Sequence, residues 1–112
     1  MIEAIIDDIA PAVKNELERI TAKNGEEYAS SHEAESVLRE EVKELAQDAI
    51  FCTHDMEQIT ANLHFKNDLN GDTESDTKIY ELKGMALNAA AEAVQVAAVC
   101  EKIARGFKGG NE

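Results

Sequence analysis

A chain of 112 residues, 44% hydrophobic and 30% charged, has enough apolar material for one domain with a modest core. Its formal charge of −12 and isoelectric point near 4.6 argue against binding to nucleic acid or an anionic membrane, which needs clustered Lys and Arg. There is no Trp and few aromatics to stack on bases, there is no apolar run long enough to span a bilayer, and no secretory leader is expected. Cys52 and Cys100 lack metal or redox spacing, so a cytoplasmic chain with two buried thiols is expected.

The first predicted element runs from Ile2 to about Ala22. Ile2, Ile5, Ile6, Ile9, Val13, Leu17 and Ile20 recur at spacings of three and four, the mark of an amphipathic helix. Pro11 lies inside it and predicts a kink or a break, and Asn24-Gly25 predicts its end. Ser30 and Glu33 have the spacing of a capping box that opens a second helix. The apolar face of that helix reads Ala34, Val37, Leu38, Val42, Leu45, Ala49 and Ile50, with Glu35, Arg39, Lys43 and Gln47 solvated.

A third helix is expected from Thr53, as N-cap, to about Phe65, with Met56, Ile59, Leu63 and Phe65 inward. The acidic stretch from Asn67 to Thr77 reads as an exposed loop, since its glycine and acids do not fit a calcium-binding frame. Asp76 or Thr77 would cap a last helix ending near Arg105-Gly106, with Ile79, Leu82, Ala86, Ala89, Ala93, Val96, Cys100 and Ile103 inward. Residues 108–112 read as a disordered tail. The expectation is an all-α, four-helix bundle forming a single domain over residues 1–107.

Two acidic spots stand out on these helices. Glu40-Glu41-Val42-Lys43-Glu44 lies on the second, and Glu92-Ala93-Val94-Gln95 lies in the alanine- and valine-rich last helix. At about 3.6 residues per turn, Glu41 shares a face with Glu44, and Glu92 with Gln95. Carboxylates on a core-facing stripe are costly unless positive charge lies between them, and a hard cation such as Mg²⁺ takes oxygen ligands. Glu41, Glu44, Glu92 and Gln95 are therefore the candidate metal ligands, and Glu40 the candidate for activating water. A di-iron centre is excluded because none of His32, His54 or His64 stands three residues after a Glu.

Through these residues the chain resembles the MazG-like, all-α nucleoside triphosphate pyrophosphohydrolase superfamily, which carries Glu-Glu-x-x-Glu on one helix and Glu-x-x-Asp on a later one. Glu40-Glu41-Val42-Lys43-Glu44 matches the first motif, and Glu92-Ala93-Val94-Gln95 resembles the second with Gln in place of Asp. The separation of the two motifs is longer than is usual in that family. The resemblance implies Mg²⁺ or Mn²⁺ on Glu41, Glu44 and Glu92, and assistance from Glu40. It also implies cleavage of a (d)NTP to monophosphate and pyrophosphate, and a homodimer or homotetramer. Lys23, Lys83 and Asn88 are candidates for contacting phosphates. The alternative is a non-catalytic acidic helical module that binds a protein partner, for which Gln95 and the net charge speak.

Overall fold

The computed structural model describes residues 1–66 and 73–106; the side chains of 62–66 and 73–76 lie outside that description. The described chain is all-α, with helices α1 (Ile2–Asn24), α2 (Ser31–Lys66) and α3 (Thr73–Ala104) and no strand. No helix among the described residues is long and apolar enough to cross a membrane. Most of the expected acidic loop (67–72) and the expected tail (108–112) lie outside the described residues.

Three helices replace the expected four. The second and third expected helices are one uninterrupted α2, and Thr53, expected to start a new helix, sits inside it. Its hydroxyl donates to the Ala49 carbonyl at 3.1 Å, one turn back, so a residue that can cap a helix here satisfies itself within one. Pro11 does not break α1 either. At the other end of α1 the expectation holds: Gly25 takes φ 90°, which a side chain would strain, and its N–H donates to the Thr21 carbonyl at 2.8 Å. Ser30 caps α2 as the sequence predicts, its Oγ accepting from the Glu33 N–H at 3.2 Å. Helix α3 begins at Thr73, ahead of the Asp76 or Thr77 expected to cap it, and ends within a residue of its expected stop.

The described chain divides into two compact units. The first comprises residues from Met1 to Lys43 and from Glu92 onward; the second is Glu44–Ala91. In the first unit, Tyr28, Ala34 and Val99 form the buried core, with Ile20, Val37, Leu38 and Ile103 packed against it. Leu17 and Ala98 are also buried. Only the later part of the isoleucine stripe of α1 is covered: Ile2, Ile5, Ile6 and Ile9 are exposed.

The second unit pairs a stretch of α2 with a stretch of α3. Its buried hydrophobic residue among those described is Ile59, 2% exposed, and full burial of such a side chain stabilises by about 1.5–3 kcal/mol. Buried Asp55 faces Lys78 at 4.0 Å, and Lys78 also binds Glu81 at 3.0 Å. Ile50, Phe51, Met56, Ile79, Tyr80 and Leu87 are exposed, so several residues expected inward are not. Two paired helices have one shared seam, and apolar residues beyond it stay uncovered. The cysteines also differ from expectation, Cys52 being half-buried and Cys100 exposed.

Candidate functional site

In the first unit the Ser30 cap sets where α2 begins, and from there Ala34, Val37, Leu38 and Glu41 recur on its inward side. On α3, Glu92 and Gln95 are half-buried and Ala98, Val99 and Lys102 are buried, with Glu92, Gln95, Val99 and Lys102 at spacings of three and four. Of the residues expected inward there, Val96 and Ile103 are half-buried, whereas Ala93 and Cys100 are exposed. In an alanine-rich helix apolar spacing marks no single face, and here the polar residues lie on the covered side.

Glu41 and Glu92 are both half-buried, and each offers a carboxylate oxygen within 4.8 Å of the other's. Glu44, half-buried, follows about one turn further along the continuous α2 and begins the second unit. Gln95 completes the group. With its amide nitrogen turned toward them, it donates to Glu41 Oε2 and Glu92 Oε2 at 3.0 Å each. Turned the other way, the amide presents an oxygen to two carboxylate oxygens, an arrangement favoured by a cation or by a proton on one of the carboxyls.

Glu40 is exposed, one position before Glu41 and about 100° around the helix from it. Arg39, a possible partner for these acids, pairs with Glu35 instead. Lys83 and Asn88 are exposed residues of the second unit, where Asn88 borders a hollow with Phe51, Asp55 and Met85. Lys23 belongs to the first unit and lines the same cavity as Glu41.

That cavity, about 450 Å³, lies among α1, α2, α3 and the 25–30 connection, and its wall includes Arg19, Ile20, Lys23, Asn24, Tyr28, Glu33, Val37, Glu41, Val99 and Lys102. Lys102 is only 1% exposed, and its Nζ lies 4.1 Å from the centre of the Tyr28 ring. Burial raises the Tyr28 hydroxyl above the usual tyrosine range, and the negative charges of Glu33 and Glu41 add to the shift. Arg19 Nε donates to Glu16 Oε1 at 2.8 Å, a bond that holds the Glu16 carboxyl below its ordinary range.

Sequence reasoning missed Arg19, Tyr28 and Lys102. The signal for Lys102 was its place three and four residues along the series Glu92, Gln95, Val99; nothing in the sequence marked Tyr28. The chain matches no protein-family model, no curated protein and no solved structure.

Proposed function

We propose that this chain is a Mg²⁺-dependent nucleotide pyrophosphohydrolase of the MazG-like, all-α kind, cleaving a (d)NTP or a related nucleotide to the monophosphate and pyrophosphate. The observation that carries the reading is the convergence of Glu41, Glu92 and Gln95, with Glu44 on the next turn of α2. The donor set fits the ion. Three carboxylates and an amide that can present its oxygen are the hard ligands Mg²⁺ or Mn²⁺ takes, and clustered half-buried acids gain from a cation. Glu41, Glu44 and Glu92 would hold it, with Gln95 as a neutral fourth donor. Such an ion, when bound, supplies charge stabilisation to phosphate oxygens. Exposed Glu40 is free to meet solvent and would draw a proton from an attacking water. Lys23, sharing a cavity with Glu41, is the best placed of the three candidate phosphate contacts.

Pyrophosphate release from a panel of standard and modified (d)NTPs, with Mg²⁺ or Mn²⁺, tests the proposal. Glu41→Gln should lower metal-dependent turnover by about 100-fold or more, the scale on which loss of electrostatic stabilisation is felt. Absence of turnover with every nucleotide and metal would reject the enzyme. One observation favours the second reading, an acidic module that binds a protein: Gln95 can bridge Glu41 and Glu92 without any cation. Under that reading Glu41→Gln with Glu44→Gln leaves function intact.

The same proposal includes self-association as a homodimer or homotetramer. Its support is the uncovered stripe Ile2, Ile5, Ile6 and Ile9 on α1, which a second copy of this chain would bury. Light scattering on the native chain should give a multiple of 12.3 kDa, and Ile6→Glu should reduce it to the monomer mass. A native chain that runs as a monomer at all concentrations would refute this part.

A further inference from the structure

The cavity wall of the first unit holds a cation in a setting that the metal reading leaves unexplained. Lys102 is almost completely enclosed, yet among the described residues its ammonium has no carboxylate within ion-pair distance and its one close partner is the Tyr28 ring. A ring face and the nearby carbonyl end of α3 offset part of the cost of burying that charge. Neither supplies a hydrogen bond to the ammonium's three donors, and Lys102 lines the cavity, where a ligand can. The Tyr28 hydroxyl, in a residue 4% exposed, likewise makes no hydrogen bond among the described residues.

Two more cations line the same space. Arg19 is engaged with Glu16 through Nε and one terminal nitrogen, which leaves Nη1 uncommitted, and Lys23 is exposed. In a chain of net charge −12, three cations around one cavity run against the overall field. Glu33 and Glu41 in the same wall offset part of that charge, so a singly charged anion gains little there. A tetrahedral oxyanion with close to two charges and several acceptors matches three cations and a phenol.

We infer that this cavity is a binding site for a phosphate-bearing ligand, whose phosphate is held by Lys102 with Arg19 and Lys23. Lys23 is also the phosphate contact of the proposed hydrolase, so the inference deepens that reading, although phosphate binding here needs no metal. The phosphate could be free inorganic phosphate or part of a larger molecule whose apolar portion lies against the cavity's aliphatic wall, and the two sources are separable.

Isothermal titration of the full chain in EDTA, at constant ionic strength, with inorganic phosphate, adenosine monophosphate and adenosine tests the inference. Phosphate and the monophosphate should bind and adenosine should not. Tighter binding of the monophosphate identifies a larger phosphorylated molecule, and equal binding identifies phosphate itself. Lys102→Met keeps the aliphatic stem and should weaken binding about tenfold or more, the scale of a charge-assisted hydrogen bond. Its ligand-free melting temperature should hold or rise, since a lone buried charge is gone. Lys23→Gln, at an exposed position that does not threaten folding, should weaken binding several-fold. Failure of both phosphate compounds to bind the native chain, or equal binding by native chain and both variants, would overturn the inference. Because EDTA removes any divalent ion, failure of phosphate binding here and failure of metal-dependent turnover are separate outcomes.

Discussion

Tyr28→Ala is expected to destabilise the folded chain by about 3–5 kcal/mol, the range for truncating a large buried aromatic. Tyr28 joins Ala34 and Val99 in the core of the first unit, and its ring is also the surface over which the Lys102 ammonium lies. Removing it opens a void and strips a buried charge of its one close partner. Against the 5–15 kcal/mol typical of a whole domain, that is a large fraction. Urea denaturation should show a lower midpoint with little change in slope. Tyr28→Phe keeps the ring and should stay close to the native midpoint at neutral pH.

The two differ again in alkali. The folded state holds the hydroxyl above the usual tyrosine value, so its stabilising contribution is present below about pH 10 and declines as pH rises through the folded value. That component of alkaline destabilisation should be missing from Tyr28→Phe. A Tyr28→Ala chain as stable as the native one would mean that this residue is no part of the core.

Gln95→Glu is expected to have opposite effects with and without metal. The substitution keeps the side chain's shape but removes the two 3.0 Å bonds the amide can donate to Glu41 and Glu92, and it adds a third negative charge beside them. Without divalent ions the variant should lose about 1–3 kcal/mol, the cost of leaving charged acceptors unsatisfied. With Mg²⁺ it should bind the ion more tightly than the native chain. Saturation at about 100 times the dissociation constant should restore about 2.7 kcal/mol. Thermal melts with EDTA and across a Mg²⁺ series measure both arms. If Mg²⁺ moves neither protein, Glu41, Glu44 and Glu92 hold no metal, and the protein-binding reading takes precedence.

The helices could be read from the sequence, and so was the clustering of Glu41 with Glu92. Both follow from spacing: a residue type recurring at three and four falls on one face whatever the tertiary structure. Chain breaks were less legible. Thr53 has the chemistry of an N-cap, but no Gly or Pro precedes it, and its hydroxyl is equally at home on the Ala49 carbonyl. In α3 the apolar pattern was degenerate, because alanine occupies positions on every side. The inward face carries Glu92, Gln95 and Lys102 beside Ala98 and Val99, so hydrophobicity alone does not mark it. Lys102 lies in the last turn of α3, where the helix dipole favours a cation. Its enclosure, however, depends on Tyr28, which the 25–30 connection delivers and helix periodicity cannot foresee.

The isoleucines at the start of α1 carry a consequence for abundance in the cell. If their cover comes from another copy, folded material is stabilised by mass action, and its apparent melting temperature falls on dilution. Scarce chains would then spend more time with a sticky α1 open to proteases and chaperones, while plentiful chains would shelter one another. Dosage would in that way become part of what keeps this protein folded, with four residues near the start of α1 setting the threshold.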